Sequence, residues 1–180
     1  MTLSNEQKRR LAERGYRWVQ TIKRLNKAGE ALEGDEASLK WSEAIDHLHM
    51  LSLALQHLDS CLKFLTESGE TLAGAADFRA AWRAVSDLRD ALEHEEEYIA
   101  GRGKRPRLFD QSWVANGYFE DHLLIWGSEG INSVSLMGRT YKLSPAIVAA
   151  LDLEAHLLHL WNPPGRPAKS AADVSPSGEE

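Results

Sequence analysis

Arg89 and His94 are the residues of this chain whose types and spacing could do chemistry. They open and close the run RDALEH, in which Asp90 follows the arginine directly and Glu95, Glu96, Glu97 and Tyr98 come after the histidine. A guanidinium stays charged and forks onto phosphate oxygens. An imidazole titrates near neutrality and takes or gives a proton. Cleavage of RNA by its own ribose 2′-hydroxyl needs a proton acceptor, a proton donor for the leaving oxygen and a cation for the charge building on phosphorus. Arg89 is the phosphate cation and His94 the general acid/base of such a site, with Asp90 and Tyr98 as secondary candidates.

Geometry sets a condition on that chemistry. Five residues at about 100° each leave the two side chains roughly 140° apart on a straight helix. A single helix therefore does not present both to one phosphate, whereas a second copy of the helix or a local kink would. The competing reading of the same residues is structural. Arg89 sits at the margin of an apolar face beside Trp82 and Leu92 and pairs with Glu93 or Glu96, while His94 is solvated near Asp90 and Tyr98.

Two other clusters carry weaker signals. Arg102, Lys104, Arg105 and Arg107 crowd around Pro106, a basic run that would steer RNA toward the end of the same helix or serve as a solvated linker complementing the helix dipole. His156 and His159, with Asp152 one turn earlier, share a helix face, and Glu43, His47 and His49 offer similar partners elsewhere. They would hold a metal only if two helices converged, and their apolar neighbours favour core or interface histidines. No metal and no cofactor are expected. No Gly-rich phosphate loop or nucleophile motif is present.

The elements that must position these residues are helices. Ser4 and Gln7 form a capping-box signature, and Leu11, Trp18, Ile22, Leu25 and Leu32 carry a first helix to about Glu33, weakened at Gly15 and Gly29. A second helix, about Glu36 to Ser68, bears Trp41, Ala44, Leu48, Leu51, Leu55, Leu58, Leu62 and Leu65 at alternating spacings of three and four. A poorer stripe through Met50, Leu53, His57 and Phe64 suggests that it is covered on two sides or meets another subunit. Gly69 caps it. A third helix runs from Ala75 to Gly101 on Phe78, Ala81, Trp82, Val85, Leu88, Leu92 and Ile99. Leu108 to Glu120 reads as an irregular crossing.

From Asp121 the period shortens to β-prone runs punctuated at 127–130 and 137–138, which predicts a small antiparallel meander over about 121–143. Ser144 with Pro145 starts a last helix ending near Asn162. The tail 163–180, rich in Pro, Gly, Ser and charge, is expected to be disordered. The fold class is thus mainly α, a four-helix-type bundle in one domain, 1–162, with the meander inserted before the last helix.

The run from Arg89 to His94, on a late helix behind two long ones, resembles the HEPN superfamily, whose helical bundles carry an Arg, four to six residues, His motif. The resemblance covers about 6–101. It implies a metal-independent ribonuclease or toxin-type component that works as a homodimer on RNA, with Arg89 and His94 in its site. Tyr98 lies four residues beyond the histidine, not two as in the superfamily's AMP-accepting toxins, and does not take that role.

Composition bounds these readings. With 180 residues and a net charge of -6, the chain has room for a real core and is no general nucleic-acid coat protein. One cysteine excludes an intramolecular disulfide and suits a reducing cytoplasm. No apolar run approaches the roughly 20 residues of a membrane span. A non-catalytic helical binding or scaffold module, with a protein partner, is the rival function, and a metal-dependent bundle enzyme the third.

Overall fold

The computed structural model describes residues 2–29, 37–93, 123–127, 130–136 and 139–162. The order is α1 (Asn5–Gly29), α2 (Ala37–Glu67), α3 (Ala75–Val85), α4 (Asp87–Glu93), β1 (Leu123–Gly127), β2 (Gly130–Leu136), β3 (Arg139–Lys142), α5 (Ser144–Asp152) and α6 (Glu154–Trp161). Among the described residues no helix is long and apolar enough to cross a membrane.

Local chemistry accounts for the helix ends. At the start of α1 the Ser4 N–H donates to Gln7 Oε1 at 2.8 Å and the Gln7 N–H to Ser4 Oγ at 3.2 Å, so two donors that the first turn would orphan are satisfied reciprocally. α2 ends on Gly69 at φ 91°. There the Glu70 N–H reaches the Leu65 carbonyl and the Gly69 N–H that of Thr66, the paired bonds of a left-handed glycine cap. Ser144 behaves differently. It begins α5 ahead of Pro145, but its hydroxyl donates to Asn132 Oδ1 of β2 at 3.1 Å rather than capping the helix.

The core runs along α2. Leu48, Leu51, Leu55, Leu58, Leu62 and Leu65 are all within 1% of full burial, so the strict three-and-four alternation is the central seam of the bundle. Ala12, Val19 and Ile22 of α1 meet it, with Phe78, Trp82, Val85, Leu88 and Ala91 from α3 and α4 and Ala146, Ile147, Ala150, Leu153 and Leu157 from α5 and α6. Each buried leucine contributes about 1.5–3 kcal/mol relative to exposure. The second stripe is not covered along its length: Met50 and Phe64 are 50% and 41% exposed.

A close crossing lies at Gly15. A Cβ on Gly15 would stand 3.2 Å from Leu157 Cδ2 and 3.6 Å from Cys61 Cβ, so the glycine lets α1 lie tightly against both α6 and α2. The loss of helix propensity there is exchanged for close packing.

Two of the expected helices are broken. The third divides at Ser86, whose hydroxyl turns back to the Arg83 carbonyl at 3.2 Å, a competition with the helix ladder that Ser is suited to. The last divides at Leu153, where the backbone N–H reaches the Ala150 carbonyl at 3.3 Å and the side chain is fully buried.

The sheet has order β1-β2-β3, all antiparallel. Gly127 pairs with Gly130 and Leu136 with Arg139, so both connections are two residues long, at the glycine turns expected from sequence. Val134 and Tyr141 bury one face against the helices. Arg139 Nη1 lies 3.4 Å from Asp87 Oδ2 and its guanidinium stands over the Tyr141 ring, so β3 pins the first turn of α4.

Candidate functional site

α4 is amphipathic, and its buried Leu88 and Ala91 fix which residues can face outward. Arg89 and Asp90 lie beside them, and both line a groove of about 420 Å³ between α2 and the α3–α4 pair. Gln56, Asp59, Ser60 and Lys63 form the α2 wall, and Trp82, 5% exposed, forms the base. Arg79 of α3 bonds Asp59 of α2 at 3.1 Å, closing the wall at that end. Lys63 makes no ion pair among the described residues, which leaves it as a second cation beside Arg89.

Arg89 itself is forked onto Glu93, with Nε 2.8 Å from Oε1 and Nη2 2.7 Å from Oε2. The four-residue spacing on one helix face makes this contact local. From the other side, His49 of α2 brings Nε2 to 3.5 Å from Glu93 Oε1. That nitrogen is shut off from solvent and makes no hydrogen bond, so its contact with the carboxylate is electrostatic. Burial alone would raise the Glu93 carboxyl, but the hydrogen bonds and charge of Arg89, followed by the approach of His49, hold it below the usual glutamate value. Glu93 thus joins α2 to α4 and occupies the guanidinium edge that a phosphate would use.

His94, Tyr98 and the basic run of Arg102, Lys104, Arg105 and Arg107 lie outside the described residues, as do 108–120 and the tail 163–180. The break at Ser86 precedes Arg89, so it puts no kink between Arg89 and Glu93, where the described part of α4 ends.

His49, which with Glu43 and His47 offered ligands to a metal only if two helices converged, belongs to the Arg89 cluster. Its spacing with Gln56, Ser60 and Lys63 along one face of α2 was the available signal. His47 donates to the Leu25 carbonyl. His156 and His159 are exposed on α6 rather than core histidines, because Leu153 and Leu157 take the buried positions. Among the described residues no three His, Cys, Asp or Glu side chains come together as a metal-binding group.

Chemically, the groove offers an anion two cations, hydroxyl and amide groups from Ser60 and Gln56, and an aromatic floor. The chain matches no family model, no curated protein and no solved structure.

Proposed function

We propose that this chain is a HEPN-like protein that binds and cleaves RNA without a metal, in the cytoplasm, as a dimer. Arg89 holds the phosphate and His94 moves the proton. The observation that carries the reading is that Arg89 and Asp90 open into a groove with Lys63 on its opposite wall, as a phosphate-binding arginine requires, rather than onto a flat surface. The need for two copies follows from the spacing, since five residues on a straight helix would set Arg89 and His94 roughly 140° apart. Met50 and Phe64, left exposed on α2, supply apolar surface for such a contact.

One observation favours a second reading. The fork between Arg89 and Glu93 satisfies the guanidinium internally, as expected of a scaffold module in which this stretch is only a charged helix face. Incubation of total RNA with wild type and with Arg89→Ala, both in excess EDTA, separates the two. Cleavage by wild type that is lost in the variant supports the nuclease. Intact RNA in both lanes, from folded protein, supports the scaffold.

A further inference from the structure

The charge of this chain is unevenly distributed. The whole sequence has 21 Lys and Arg against 27 Asp and Glu, yet α1 has eight Lys and Arg against Glu6 and Glu13. Four of the arginines follow a helical repeat. Positions 10, 14, 17, 21 and 24 fall within about 80° of arc at 100° per residue, so Arg10, Arg14, Arg17, Thr21 and Arg24 form one stripe about 21 Å long. It lies opposite the buried Ala12, Val19 and Ile22.

The stripe is only partly neutralised. Arg10 meets Glu6 at 3.2 Å and Arg17 meets Glu13 at 2.6 Å, both on exposed arginines, where such pairs contribute little and exchange readily. Arg14 and Arg24 are exposed and make no ion pair among the described residues. Arg24 instead donates to Thr21 Oγ1 at 3.3 Å. Beside them runs a groove of about 430 Å³ lined by Arg10, Arg14, Arg17, Trp18 and Thr21, with Glu13. Trp18 brings an aromatic ring to this wall, stacked on His57 of α2 with centroids 4.7 Å apart and planes at 15°.

We infer that this face of α1 is a docking track for a single strand of nucleic acid, apart from the Arg89 groove. A row of guanidinium forks with an aromatic ring alongside is the combination that follows a phosphate backbone and offers a surface for bases. An acidic protein surface would match the charge but make no use of the ring. The choice of RNA over DNA rests on the proposed function; the track itself does not. The acidic remainder of the chain directs a polyanion to this helix.

The test measures anisotropy of a fluorescein-labelled, roughly 20-nucleotide single-stranded RNA over a salt series in EDTA. The protein is His94→Ala, which keeps the RNA intact, with and without Arg14→Gln and Arg24→Gln. Two to four phosphate contacts give a log–log salt slope of about -1.4 to -2.8, so affinity falls about 7- to 50-fold from about 50 to 200 mM salt. The double substitution should weaken binding and flatten the slope by about 1.4, with the melting temperature unchanged because both side chains are exposed. Equal binding with and without it overturns the inference. So does absence of binding at about 50 mM salt, preference for a polyglutamate peptide, or loss of a dimer with RNA affinity intact. If wild type cuts no RNA while binding still depends on Arg14 and Arg24, the cleavage reading fails and the track stands. If cleavage is found but binding ignores these arginines, the track alone fails.

Discussion

Glu93→Gln separates the stabilising role of the carboxylate from its effect on Arg89. Glutamine keeps the length of the side chain and one acceptor oxygen, and its helix propensity is close to that of glutamate. What disappears is the charge shared by Arg89 at 2.7 and 2.8 Å and by His49 at 3.5 Å. A charge-assisted pair of this geometry is worth about 1.5–3 kcal/mol when protected. The Arg89 and Glu93 side chains are 33% and 25% exposed, and solvent screening brings the figure to about 1 kcal/mol. For a chain of this size that is a fall of about 2–4 °C in melting temperature. The RNA-binding effect has the opposite sign: a released Arg89 gains a phosphate contact and steepens the salt slope by about 0.7. Urea denaturation and anisotropy on the same preparations read both quantities. A variant that is less stable and binds RNA more weakly, with a shallower slope, would refute the claim that Glu93 competes with phosphate for Arg89.

Acid should reproduce part of that substitution. The Glu93 carboxyl is held below its ordinary value in the fold, so its contribution is present above the unfolded value of about 4.3 and is lost as pH falls through the folded one; wild type and Glu93→Gln should differ in stability at neutral pH and converge in acid, and a constant difference would contradict this. At Gly15, alanine should be near neutral, because up to about 1 kcal/mol of helix propensity opposes a 3.2 Å contact with Leu157, whereas Gly15→Leu should cost about 1–3 kcal/mol by overpacking, as urea titration would reveal. The Cys61 thiol, 4% exposed, is pushed up by burial against the opposing charge of Arg14; it should resist a thiol reagent in the folded protein and react fully on unfolding.

The bundle was legible because its signals are local and repeated. The leucine alternation of α2 survives as the core seam, the Ser4–Gln7 box and Gly69 form the predicted caps, and the meander pairs at the glycine turns. The breaks at Ser86 and Leu153 were not legible, since a serine that bonds back to its helix and a buried leucine at a junction both fit an uninterrupted apolar stripe. Gly15 was misjudged because its value lies in a contact with Leu157, more than a hundred residues away. At the site, the pairing of Arg89 with Glu93 followed from four-residue spacing. The approach of His49 depends on how α2 and α4 are apposed, which periodicity within one helix does not encode. The arginine stripe of α1 escaped notice because the apolar positions alone defined that helix.

Under the proposed function, Arg89 and His94 act on the RNA 2′-hydroxyl without metal. The most direct measurement is the cleavage rate of a defined single-stranded RNA, and of the same strand made with deoxyribose throughout, by wild type and His94→Ala in excess EDTA. Cleavage of the RNA only is expected, with a loss of about 10²-fold or more in His94→Ala and an unchanged melting temperature. Equal rates for wild type and His94→Ala, or cutting of the deoxyribose strand, would contradict it.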